Sequence, residues 1–161
     1  MSTIPMPVRP GADVVASYPL IAQLFGRHGF TRVDAAGFDA FVARPGHTLL
    51  VFLEDPARFK EMLDIAVIVP ELVRAFPGRF AVGVLLPEAA QQVQARYGFN
   101  HWPALVMLSD GRYVGVIEGL RDWDPYVEQL TALLAAAPSR PPSVGIPVRG
   151  AGAAAASGCA S

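Results

Sequence analysis

Cysteine is nearly absent from this chain. Of 161 residues one is cysteine, Cys159, third from the C-terminus in a stretch of Ala, Gly and Ser. A single thiol leaves no intramolecular disulfide framework and no cysteine-based zinc site. Histidine is also scarce: His28, His47 and His101 are scattered without cysteine partners, so the sequence predicts no metal centre. Charge of either sign is low, with 13 Lys and Arg against 14 Asp and Glu and a net charge of −1, which gives no global field for nucleic acid. Long apolar runs are missing too. Leu49–Leu53 is far shorter than the ~20 residues a membrane-spanning helix requires. The N-terminus has no basic segment leading into an apolar one, so no signal peptide is expected. The glycines near 145–152 follow no strand and open no helix, so they form no phosphate loop. No nucleophile–base pair can be argued from spacing, since Ser109 and His101 are separated by a predicted strand.

What is present suits a globular domain: 52% of residues are hydrophobic and 17% charged, and the length allows one real core. The chain divides into a Pro-rich arm, residues 1–16, a body, 17–137, and a low-complexity tail, 138–161. The tail lacks the large side chains that would offset the entropy of ordering, and is expected to be disordered and to contribute little to stability. Within the body, Ser17 and Pro19 open a helix with Leu20, Ile21, Leu24 and Phe25 on one face. Thr31–Val33 is a short strand candidate, and Asp34 can cap a helix carrying Phe38, Phe41 and Val42. Thr48–Leu53 is continuously apolar, the signature of a strand covered on both faces, and Arg79–Leu86 repeats that character. A helix is predicted over Glu88–Tyr97. Ala104–Leu108 and Tyr113–Ile117 flank Asp110-Gly111 and read as a hairpin. Asp124-Pro125 opens a last helix bearing Tyr126, Val127, Leu130, Leu133 and Leu134. Between Glu54 and Phe76 helical spacing is clear, but two starts fit, Asp55-Pro56 and Asp64, and Pro70 would kink a helix spanning both halves.

From Leu49 to Leu134 this order of elements resembles the thioredoxin fold. Three features carry the resemblance: Pro70 where that family kinks a long helix, Trp102-Pro103 where it has a cis-proline, and Asp110-Gly111 at the turn of its terminal hairpin. The slot of the Cys-x-x-Cys pair reads Met62-Leu63-Asp64-Ile65, and the position of the buried carboxylate falls near Phe52. A scaffold lacking both the dithiol and its base implies binding rather than redox catalysis, with no catalytic residues and no cofactor.

A narrower resemblance rests on Leu49–Pro56, on Val67-Ile68-Val69-Pro70-Glu71-Leu72, on Tyr97-Gly98-Phe99 with Trp102–Val106, and on the preceding Arg27-His28-Gly29-Phe30. Over residues 18–135 the chain is similar to the [NiFe]-hydrogenase expression/formation proteins of the HyaE/HupG/HoxO type. That resemblance implies a cytoplasmic chaperone for the hydrogenase small-subunit precursor, which carries a twin-arginine signal peptide and iron–sulfur clusters. The fold it implies is an α/β, thioredoxin-like domain with a mixed central sheet, order 1-3-2-4-5, sandwiched between helices. The alternative is an unrelated non-redox thioredoxin-like module that docks another folded protein. Neither reading involves nucleic acid or membrane insertion.

Six residues are candidate partner contacts. Glu54, Asp55, Glu61 and Asp64, with Glu71, make the segment after the second long strand locally acidic against Arg58 and Lys60. An arginine-rich peptide would find charge-assisted partners there. Asp55 and Asp64 serve equally as helix caps, and acidic residues near helix N-termini are ordinary complements of the dipole. Trp102 and Pro103 are the other two. A cis bond would present the Trp102 backbone to an extended peptide and its ring as an anchor; a trans bond would pack Trp102 inward. Cys159 is incidental or forms an intermolecular disulfide.

Overall fold

The apolar run around Leu50 is the middle of a sheet. In a computed structural model, which describes residues 14–142, β2 (His47–Phe52) pairs in parallel with β3 (Ala81–Leu85) and antiparallel with β4 (Ala104–Ser109). The two-residue β1 (Thr31–Arg32) extends the sheet beyond β3, and β5 (Arg112–Glu118) extends it beyond β4, giving the expected order β1-β3-β2-β4-β5. Side chains alternate between faces along a strand, so a doubly covered strand divides its residues between two cores. Leu49, Val51 and Leu53 join one apolar cluster; Leu50 and Phe52 join the other. The first cluster is roofed by α1 (Val14–Ser17), α2 (Pro19–Gly26), α4 (Glu61–Ala75) and α6 (Trp123–Ala135). The second is roofed by α3 (Phe38–Val42) and α5 (Pro87–Val93), which runs into a 3₁₀ turn at Gln94–Arg96. Leu49 and Leu50 are both fully buried, and truncating either to Ala costs about 2–5 kcal/mol.

The hairpin forms as Asp110-Gly111 predicts. Both turn residues have positive φ, 51° and 82°, the conformation of a two-residue turn that matches strand twist. The Asp110 carboxylate also accepts the Gly46 N–H at 2.7 Å, tying the turn to the start of β2.

Elsewhere the fold corrects the sequence expectations. Helix α4 begins at neither candidate start. Asp55 instead closes a separate turn, accepting the Ala57 N–H on its side chain and the Arg58 and Phe59 N–H groups on its carbonyl. The helix opens at Glu61, runs through the buried Pro70, and carries Glu61 and Asp64 in its first turn, where they complement the dipole. Asp34 does not cap α3; Gly37 precedes that helix, and Asp34 accepts the Gly37 N–H one turn earlier. The last helix starts one residue before Asp124, with Asp122 as its N-cap.

Val14, assigned to the arm, is buried and helical. In residues 138–142, assigned to the tail, the Ser139 N–H donates to the Tyr113 carbonyl of β5 at 2.7 Å, and Pro142 lies against Gly98. Cys159 and the rest of the tail lie outside the described residues.

Candidate functional site

At the C-terminal end of β2, where a redox member of this fold would carry its dithiol, the chain is sealed with hydrocarbon. Met62 and Ile65 are fully buried on the core face of α4. The Met62 thioether accepts the Glu54 main-chain N–H at 3.2 Å. Phe52, at the position of the thioredoxin carboxylate, is fully buried and packs edge-on against Phe99, ring centroids 4.9 Å apart.

Beside this plug the surface opens. The Trp102-Pro103 bond is cis. The Trp102 ring is half-buried, stands edge-on to Phe99 at 5.2 Å, and touches both apolar clusters. It forms one wall of a cleft of about 550 Å³ that also takes in Glu61, His101, Glu118, Leu120 and Arg121. A second cavity, about 310 Å³, lies between the end of β1 and the start of α5; none of the six candidate residues reaches it.

The cleft thus unites two of the six candidates, Glu61 and Trp102. Pro103 lies beneath, buried, its carbonyl accepting the Gly119 N–H at 2.8 Å. Asp64 is exposed on α4 outside the cleft lining. Glu54 and Asp55 are not an exposed rim: each is only 5% exposed. The Glu54 carboxylate accepts the Asp55 N–H at 2.8 Å and the Gln91 amide at 2.6 Å, bolting the end of β2 to α5. The exposed Glu61 side chain takes no hydrogen-bond or ion-pair partner among the described residues.

Glu118 was not among the candidates. Its Oε1 accepts the main-chain N–H groups of Asn100 (2.7 Å) and His101 (3.0 Å) and lies 3.2 Å from His101 Nδ1. Partial burial alone would raise this carboxyl. The two amides and the His101 ring outweigh that and hold its pKa below the ordinary carboxylate value. Nothing in the local sequence marks Glu118, because its donors lie 17 and 18 residues away across the β4–β5 hairpin.

A family profile described as hydrogenase-1 expression protein HyaE matches residues 20–126, from the first turn of α2 into α6. This chain belongs to the HyaE family. The match encloses the plug, the cleft and the second apolar cluster, and all of the first except Val14, Leu130 and Leu134. Among relatives, hydrogenase expression/formation protein HoxO of Cupriavidus necator is 43% identical over 141 residues, 86% of each chain. HoxO of Azotobacter vinelandii is 42% identical over 118 residues, 73% of this chain and 79% of the relative. Hydrogenase expression/formation protein HupG of Bradyrhizobium diazoefficiens is 35% identical over 112 residues, 67% of this chain and 76% of the relative. The resemblance read from the strand ends and from Trp102-Pro103 therefore holds across the HyaE, HoxO and HupG proteins. In this HyaE-family chain no helix among the described residues is long and apolar enough to cross a membrane. Nor does any group of three or more His, Cys, Asp or Glu side chains among them have the arrangement to hold a metal.

Proposed function

We propose that this protein is a non-catalytic, cytoplasmic chaperone of [NiFe]-hydrogenase maturation that holds the small-subunit precursor by its twin-arginine signal peptide. Family membership supports the role in hydrogenase formation. The observation that carries the binding reading is the contrast at one end of the sheet: Met62 and Ile65 close the dithiol position, while the adjoining cleft offers Trp102 and the carboxylates of Glu61 and Glu118. Such a surface suits a peptide that pairs guanidinium groups with flanking apolar residues. Glu61 and Asp64 are the contacts proposed for the arginines, together with the Oε2 atom of Glu118, which has no hydrogen-bond partner among the described residues. Trp102 is the proposed apolar anchor. Glu54 and Asp55 contribute indirectly, by holding the end of β2.

The test is calorimetric titration with the small-subunit precursor and with the same subunit lacking its signal peptide. Tighter binding of the precursor is expected, weakening as salt rises past ~0.15 M, where the Debye length is about 8 Å. Equal affinity for both forms overturns the signal-peptide reading and favours a module that docks the folded subunit.

A further inference from the structure

We infer that Glu118 is a positioning residue for the cleft, setting Trp102 through the loop that carries it; the functional meaning of this rests on the cleft being the partner-binding face. The geometry is specific. One carboxylate oxygen gathers the N–H groups of two consecutive residues, Asn100 and His101, and the His101 ring. The next residue of the chain after Glu118, Gly119, donates its N–H to the Pro103 carbonyl. The end of β5 therefore grips the loop on both sides of Trp102. Asn100 and His101 are exposed, so burial does not fix their backbone. An ionised acceptor does, because hydrogen bonds to a carboxylate are roughly twice as strong as neutral ones. Oε1 is committed to the loop while Oε2 is not, so a cation can reach Glu118 without breaking the grip. The charged and titratable groups around it are His101 on the loop, Glu61 on α4, Arg121 beyond β5, and Tyr113 on its own strand.

The experiment separates acceptor from charge, in a Trp123→Phe background that leaves Trp102 as the single tryptophan. Glu118→Gln keeps an acceptor oxygen in reach; Glu118→Ala removes it; Glu118→Asp keeps the charge and withdraws the oxygen. In Glu118→Ala and Glu118→Asp, the amides of Asn100, His101 and Gly119 should exchange about tenfold faster, the loss of one charge-assisted bond of ~1.4 kcal/mol, and acrylamide should quench Trp102 more strongly. Glu118→Gln keeps an acceptor oxygen but loses the charge, so both readouts should fall between wild type and Glu118→Ala. Precursor affinity should fall roughly tenfold for Ala and Asp, and by less than about fivefold for Gln, which loses the charge but keeps an acceptor oxygen for the loop. If Glu118→Ala does not fold, the Asp and Gln variants decide between the same outcomes. A melting temperature that drops while Gly119 exchange and Trp102 quenching stay unchanged overturns the inference, as does Gln behaving like Ala. Exchange and quenching need no partner, so a wild-type protein that binds neither subunit form would remove the proposed function while leaving the positioning of Trp102 measurable.

Discussion

Met62 Sδ lies 3.2 Å from the main-chain nitrogen of Glu54 and accepts its hydrogen bond. The thioether thus fills the first cysteine position of a redox scaffold and satisfies an amide where β2 gives way to the following turn. Thioether acceptors are weak, so most of Met62's contribution comes from filling volume. Met62→Leu should cost less than about 1.5 kcal/mol in urea denaturation, and Met62→Ala about 2–5 kcal/mol. Equal costs for the two variants would show that packing does not govern this position.

With Met62 and Ile65 in the dithiol slot, the purified protein should not accelerate disulfide reduction by dithiothreitol. The control is Cys159→Ser. Activity above the uncatalysed rate that survives that substitution would contradict the binding-only reading, and activity lost with it would trace to the tail thiol.

Residues 138–142 behave as a strap on the β5 edge, and truncation after Ala137 measures it. The cut removes the Ser139–Tyr113 hydrogen bond and the cover that Pro142 places over Gly98. A loss of about 1 kcal/mol is expected, seen as a fall of about 4 °C in melting temperature. Gly98 provides an independent readout. Its φ is +68°, and a Cβ there would strike the Pro142 carbonyl oxygen. Gly98→Ala should therefore cost more in the full chain than in the truncated one, where only the backbone strain remains. Equal costs in both would mean that the strap does not press on Gly98.

The Glu118 carboxyl gives the fold a defined acid sensitivity. Its folded pKa is lowered, so the stability it contributes is fully present above the unfolded carboxylate value of about 4.3 and is lost as pH falls through the folded pKa. Glu118→Gln has no such titration. Thermal melts should place wild type above Glu118→Gln at pH 7, with the gap closing on acidification below about pH 4. A gap that stays constant would show that the Asn100 and His101 contacts do not depend on the charge.

Most of the architecture was legible in the sequence because it rests on local chemistry. The continuously apolar Leu49–Leu53 reads as a doubly covered strand and Asp110-Gly111 as a tight turn, whereas the sheet order came from the thioredoxin resemblance that Pro70, Trp102-Pro103 and that turn carry. What escaped depends on contacts between distant residues. Val14 is drawn into the core despite its Pro-rich neighbourhood. Ser139 finds an edge carbonyl on β5. Asp55-Pro56 carries a good helix-start signal, yet its turn closes before Glu61 begins the helix. The acidic segment was visible as composition, but not its division into buried Glu54 and Asp55 and exposed Glu61 and Asp64, because which carboxylate reaches Gln91 depends on how α5 packs against the end of β2.

That division makes the last prediction. Glu61 lines the cleft and Asp64 is exposed beside it in the first turn of α4, whereas Glu54 and Asp55 are buried. The double variant Glu61→Gln/Asp64→Asn should leave stability within about 0.5 kcal/mol, as surface substitutions do. It should weaken precursor binding roughly 2- to 30-fold, from two partly exposed ion pairs worth about 0.2–1 kcal/mol each. The affinity that remains should depend less on salt than that of wild type. Glu54→Gln should do the reverse. An amide offers one acceptor oxygen where the carboxylate uses two, for Gln91 and the Asp55 N–H, so one buried donor loses its acceptor and stability should fall by about 1–3 kcal/mol. Binding should change little at temperatures where the variant is folded. Trp102→Ala should weaken binding by an amount that salt does not alter, because its contribution is apolar. Calorimetric titrations at two salt concentrations, paired with thermal melts, measure all three. If Glu61→Gln/Asp64→Asn binds like wild type, the arginines are not read at this end of α4.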